Sequence, residues 1–166
     1  MNMITLRRVC AYIVWISLAA NVLHGAAHWV SGAPLTPLPP SLSWLGISVE
    51  LFFTLGPLPA LALLYTRRWI RWGAFLLFLT MLIAVLWGYG AHFLFASGDN
   101  VMAHMSSFAG PAFLISSVLV FVMPCAGTIA GIYTFIQTLR STPERDTSAS
   151  EKQSSVEPRE RVGSRG

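Results

Sequence analysis

The chain has 166 residues, of which 54% are apolar and only 11% are charged. An ordinary soluble domain carries about 25% charged residues, so this composition excludes a water-facing surface over most of the chain. Eleven of the eighteen charged residues fall in positions 140–166. The net charge of +4 indicates no nucleic-acid partner, because the basic residues of the apolar part stand at the borders of apolar runs, where membrane topology explains them.

Four long apolar runs occupy the first 139 residues and predict an all-α integral membrane protein, a bundle of four transmembrane helices. A bilayer core of about 30 Å requires about 20 apolar residues per helix. The predicted spans cover residues 9–30, 44–65, 72–96 and 111–139. Residues 1–139 are therefore expected to form one membrane domain, with the lipid bilayer as its partner.

The first span follows Arg7 and Arg8 and so resembles the start of a signal peptide. Its apolar run extends over residues 9–30, whereas the apolar region of a cleavable signal peptide has about 7–15 residues. We therefore expect an uncleaved anchor. Small residues at positions 19, 20, 26 and 27 leave cleavage by signal peptidase as the alternative.

Prolines predict two irregularities in the helices. Pro57 and Pro59 should kink the second span near its middle, because proline lacks the N–H of a helical hydrogen bond. Gly110-Pro111 should separate a short interfacial helix at 101–109 from the fourth span, since proline suits the first turn of a helix. A continuous tilted helix from Val101 to Leu139 is the alternative. Residues 140–166 lack large apolar side chains and are expected to form a disordered cytoplasmic tail.

The charges predict the orientation of the bundle. In the four-span arrangement, one side carries six arginines: Arg7, Arg8, Arg67, Arg68, Arg71 and Arg140. The positive-inside rule makes that side cytoplasmic, so both termini are expected inside, in a bacterial inner (cytoplasmic) membrane. The opposite side carries both acids of the membrane domain and all four histidines: Glu50, Asp99, His24, His28, His92 and His104.

A polar stripe on the first span predicts a site. His24 and His28 lie four residues apart, so both rings project from one helix face, about 6 Å apart along the axis. Ser17 and Asn21 extend this face, which should therefore look into the bundle rather than toward lipid. Glu50 is a carboxylate within the second span and needs neutralisation by a proton, a histidine or a metal ion.

The predicted site combines this stripe with residues of the other spans. The candidate metal ligands are His24, His28, Glu50, His92 and His104, with Asp99 as a further candidate. Imidazole with carboxylate suits zinc or iron, and the methionines beside His104 would suit copper. A b-type haem held between His92 and either His24 or His28 is a variant. A proton-handling, substrate-binding or purely structural network stays open for the same residues.

Two further classes of function stay open from the sequence. One is a membrane enzyme that acts on a lipophilic substrate, with Glu50 and a histidine as acid and base. The other is an accessory subunit of a larger membrane complex or a homo-oligomer, for which Gly127 and Gly131 provide a GxxxG spacing typical of helix association. The chain contains no Walker loop, GxGxxG, HExxH or nucleophile elbow, so the sequence does not decide whether it is an enzyme.

Overall fold

The computed structural model describes residues 2–32, 38–94, 100–105, 108 and 110–140. Its regular elements in these ranges are all helical. Four helical stretches are long and apolar enough to cross a membrane: Met3–Ser31, Pro40–Tyr65, Ile70–Leu94 and Gly110–Arg140. They overlap the four predicted spans, and the first two begin six and four residues earlier than predicted. The prediction of a disordered tail and of Asp99 at the site falls outside the described residues.

The first helix, α1, runs from Met3 to Ser31. The side chain of Asn2 caps its start by accepting the backbone N–H of Thr5 at 2.8 Å, and Gly32 ends it in the left-handed conformation, with φ 69°. Both ends thus follow ordinary capping rules, since a glycine after the last turn adopts positive φ without strain.

The second span is divided into α2 (Ser43–Leu55) and α3 (Pro57–Tyr65), which meet at Gly56. A short 3₁₀ turn, Pro40–Leu42, precedes α2. The division confirms the kink predicted from the prolines, because Pro57 starts a helix well but cannot continue one. Much of α2 faces outward, and its buried residues are Gly46 and Phe53.

The third span consists of α4 (Ile70–Tyr89) and a turn of π-helix, Gly90–Leu94. A short helix, α5, covers Val101–His104, and the long helix α6 covers Gly110–Arg140. The split of the last apolar stretch near Gly110 is therefore confirmed, and the continuous helix from Val101 to Leu139 is wrong. The predicted short helix is also shorter than 101–109, because α5 ends at His104.

Close contact between α4 and α6 explains the GxxxG spacing of the fourth span. A Cβ atom added to Gly131 would lie 2.6 Å from the backbone N of Phe78, and one added to Gly127 would lie 2.7 Å from Cγ of Met81. These glycines therefore allow two helices of the same chain to approach closely. The spacing gives no support to association with another subunit.

The surface of the bundle is strongly apolar. Large apolar side chains are exposed on every span, among them Trp29 at 88%, Leu23 at 60% and Leu86 at 65%. A surface of this kind is unfavourable in water and suits lipid, which is compatible with a small integral membrane protein. At the connection between α3 and α4, the guanidinium of Arg68 lies 5.6 Å from the ring centre of Trp69, a cation–π contact typical of a headgroup-level border.

Candidate histidine site

The predicted inward face of α1 is confirmed by burial. Ser17, His24 and His28 are only 4%, 7% and 4% exposed, and Asn21 between them is half-buried. The period of the stripe explains this arrangement, because residues three and four apart share one side of a helix. The polar side chains of α1 thus point into the bundle, while Val22 and Leu23 face outward.

His92 reaches the same place from the π-helical turn that follows α4. It is 4% exposed, and the turn also buries its neighbours Gly90 and Ala91. A π-helical turn changes the rotation of the residues after it, and such turns are frequent at functional sites. One turn before His92, a Cβ atom added to Gly88 would meet nothing within 4 Å, so no other helix lies in close contact there.

The three buried histidines meet through their Nε2 atoms. His24 Nε2 lies 3.0 Å from Nε2 of His28 and 3.2 Å from Nε2 of His92. The corresponding ring centres are 4.5 and 4.6 Å apart, whereas those of His28 and His92 are 6.2 Å apart. His24 is therefore the shared corner of the cluster, and the other two rings approach it from different sides.

Ser116 of α6 contacts the second ring nitrogen of His24. The Ser116 hydroxyl donates to the carbonyl of Phe113 at 2.9 Å, and its oxygen lies 3.0 Å from His24 Nδ1. A serine hydroxyl has a single hydrogen, so when it donates to Phe113 its oxygen accepts the Nδ1–H of His24. His24 Nε2 then carries a lone pair, which is directed at the other two imidazoles.

The apolar ring of Phe113 packs against all three histidines of the cluster. It is fully buried, and its ring centre lies 5.4 Å from His24, 5.0 Å from His28 and 6.2 Å from His92. The Ser117 hydroxyl also donates to the Phe113 carbonyl, at 2.8 Å. Packing on one rigid ring limits how far the imidazoles can turn, which helps to hold their nitrogens together.

Glu50 lies beside this cluster, in the wall of the cavity between α1 and α2. Trp87 donates its indole N–H to Glu50 Oε1 at 2.6 Å. The α1–α2 cavity has a volume of about 170 Å³ and is lined by Asn21, His24, Gly25, His28, Ile47, Glu50, Leu51 and Thr54. The enzyme alternative stays a prediction, for which this cavity offers space next to a carboxylate and two histidines.

The structure thus brings together three of the five predicted ligands and places a fourth nearby. His104 belongs to α5, but its side chain lies outside the described residues. In the described part of the chain, no group of three or more His, Cys, Asp or Glu side chains is arranged so that it could hold a metal ion.

Sequence reasoning missed Ser116 and Phe113, which orient the cluster. Ser116-Ser117 is a polar pair in the first third of an apolar span, at the same end of the bundle as the histidines. That position in the membrane could have indicated a partner for the histidines. Phe113 gave no signal, because phenylalanine is common in membrane helices.

The chain matches no model of a known protein family, no curated protein and no solved structure.

Proposed function

We propose that this protein binds one transition-metal ion through the imidazoles of His24, His28 and His92. Under the positive-inside orientation, the site faces the non-cytoplasmic side of a bacterial cytoplasmic membrane. Imidazole ligands suit zinc, copper and iron alike, so the proposal names the ligand set and leaves the choice of metal to the binding experiment.

The observation that carries the proposal is the position of His24 Nε2 between two other imidazole nitrogens. Two other Nε2 atoms lie within 3.2 Å of it, yet an imidazole nitrogen presents only one lone pair, in the plane of its ring. A purely structural network satisfies one of these contacts with an N–H donor and leaves the second poorly matched. A cation shared by the three nitrogens satisfies all of them.

The spacing of the nitrogens supports the same ligand set. Metal–nitrogen bonds of about 2.0–2.1 Å place two imidazole nitrogens of one ion about 2.9–3.4 Å apart, depending on the bond angle. The observed separations of 3.0 and 3.2 Å fall in this range. Metal binding would in addition require the His28 and His92 rings, whose centres are 6.2 Å apart, to move toward a common point.

An ion fits this spacing better than haem does. Two imidazoles that ligate one haem iron from opposite faces hold their nitrogens about 4 Å apart, twice the length of a metal–nitrogen bond. His24 and His92 are closer, at 3.2 Å. We therefore prefer a bare ion to the b-type haem variant.

The α1–α2 cavity supplies room for a fourth ligand. Three protein ligands with an open position are typical of catalytic rather than structural zinc sites. His24 and His28 both line the cavity, so water or a small exogenous molecule in it can reach the ion. Glu50 in the same wall is placed to accept a hydrogen bond from that fourth ligand.

Titration of the purified protein with Co²⁺ after treatment with a chelator tests the proposal. We expect visible ligand-field bands that saturate at about one Co²⁺ per chain and are displaced by Zn²⁺, as for a three-histidine site with an open position. Elemental analysis of the untreated protein should give the same stoichiometry. Absence of both the bands and stoichiometric metal would overturn the proposal.

Substitution of Ser116 by alanine is expected to weaken Zn²⁺ binding by about 10- to 100-fold, because groups that orient a metal-binding histidine have effects of this size. Ser117→Ala is the matched control, since both hydroxyls donate to the Phe113 carbonyl but only Ser116 contacts His24. Competition with a chromophoric chelator measures both affinities. Equal losses in the two variants would contradict the role of Ser116.

A further inference from the structure

A second, smaller cavity lies near the middle of the bundle. This central cavity has a volume of about 20 Å³, and residues of all four spans line it. Ser17 and Asn21 belong to α1, Glu50 to α2, Trp87 to α4, and Val120 and Pro124 to α6. Ser17 and Pro124 are both central in helices of about 30 residues, which places the cavity deep in the apolar region.

One side-chain oxygen at the central cavity has no hydrogen-bond donor, and one backbone carbonyl of α6 loses its usual helical donor. Ser17 is 4% exposed, and its hydroxyl oxygen has no hydrogen-bond partner among the residues that the structure describes. Pro124 stands inside α6 and has no N–H, so it cannot donate to the carbonyl of Val120 one turn earlier. Buried oxygens in this condition are costly unless a water molecule or an ion satisfies them.

Two further oxygen-bearing side chains, those of Asn21 and Glu50, line the cavity beside His92 and several apolar residues. Asn21 donates its side-chain N–H to the backbone carbonyl of Ser17 at 2.9 Å, which leaves the amide oxygen as an acceptor. Glu50 brings a carboxylate, whose Oε1 accepts the indole N–H of Trp87. Hydroxyl, carbonyl, amide and carboxylate oxygens are the ligands of hard cations, in contrast to the imidazole nitrogens of the histidine site.

The charge and size of the central cavity select the class of cation. It contains one carboxylate, which a single positive charge neutralises, whereas Ca²⁺ requires about 6–8 oxygen ligands. A volume of about 20 Å³ accommodates one small ion or water molecule.

We propose that the central cavity binds one Na⁺ ion, coordinated by the Glu50 carboxylate, the Ser17 hydroxyl, the Asn21 amide oxygen and the Val120 carbonyl. This site differs from the transition-metal site in its donor atoms, which are oxygens rather than imidazole nitrogens, although His92 borders the central cavity and Glu50 borders both cavities. Bound Na⁺ would neutralise Glu50. It would also stabilise the packing of α2, whose buried residues are Gly46 and Phe53, against α1 and α6.

Thermal unfolding of the full chain in mild detergent, followed by circular dichroism, tests this inference. The unfolding temperature should be higher in NaCl than in choline chloride of equal ionic strength by about 5 °C, because a ligand of the native state stabilises it. The difference should be the same with and without a chelator of transition metals, which makes it independent of the histidine site. KCl should give a smaller difference, since K⁺ is larger than the cavity favours.

Variants identify the ligands of this ion. Glu50→Gln and Ser17→Ala should each lower binding of ²²Na⁺ at least tenfold and remove the difference between NaCl and choline chloride. Thr80→Val is the matched control, because it removes a buried hydroxyl that donates to its own helix, at Leu76, and does not line the cavity. Equal unfolding temperatures of the wild-type protein in NaCl and choline chloride would overturn the proposal and assign the cavity to water. A Na⁺ effect that persists in Glu50→Gln would also overturn it.

Discussion

Replacing His24 with alanine is expected to lower the bound transition metal from about one ion per chain to none that elemental analysis detects. His24 Nε2 is the atom within 3.0 Å of His28 and 3.2 Å of His92, so its loss removes the shared corner of the ligand set. The remaining two imidazoles have ring centres 6.2 Å apart. Co²⁺ titration should therefore give no ligand-field bands in this variant.

Two controls separate loss of the ligand from loss of the fold. Cys10→Ala removes another buried side chain of α1 of a type that can bind metals. Its sulfur lies 3.6 Å from the Thr134 hydroxyl, so this variant should keep the metal of the wild-type protein. His24→Gly opens space that free imidazole can fill, so added imidazole should restore the Co²⁺ bands. A His24→Ala protein with wild-type metal content would show that the histidines are a structural network.

The spans and their interruptions followed from the sequence because each depends on local chemistry. Runs of about 20 apolar residues determine where helices cross a bilayer, and prolines determine where those helices break. The break at Gly56-Pro57 and the start of α6 at Gly110 were therefore predictable within a few residues. The inward face of α1 was predictable for the same reason, since Ser17, His24 and His28 share a helical period.

The partners of the histidines were not predictable, because they depend on how each helix is rotated against its neighbours. The π-helical turn at Gly90–Leu94 sets the direction of His92, and nothing in the local sequence announces such a turn. The contact between Ser116 and His24 joins residues 92 positions apart. The sequence therefore indicated which residues of the site lie at one depth in the membrane. The central position of His24 depends on how the four helices pack and could not be read from the sequence.

The glycines of α6 are a second case in which the sequence predicts a close contact but not its partner. A GxxxG spacing indicates that a helix approaches Gly127 and Gly131 closely, but it does not say which helix. The sequence left association with another subunit open, whereas the structure uses both glycines against α4. The identity of the neighbour depends on the order and tilt of all four spans, which no single spacing encodes.

Gly131→Ala should destabilise the bundle by about 1–3 kcal/mol, the usual cost of inserting a methyl group into a packed interior. The added Cβ would lie 2.6 Å from the backbone N and 2.8 Å from Cα of Phe78. Backbone atoms of a membrane helix cannot move aside as a side chain can, so α4 and α6 must separate. Unfolding by sodium dodecyl sulfate in dodecyl maltoside, followed by circular dichroism, measures the change.

A graded series of glycine variants tests whether backbone contact is the cause. Gly25→Ala is the matched control, because its Cβ would meet nothing within 4 Å, and alanine in a helix is favoured over glycine by about 0.5–1 kcal/mol. Gly127→Ala should fall between the two, since its Cβ would meet the flexible Met81 side chain, at 2.7 Å from Cγ. If Gly131→Ala unfolds at the same detergent fraction as Gly25→Ala, α4 and α6 are not in backbone contact at Gly131. Their spacing, and with it the position of His92 relative to Ser116, would then have to be revised.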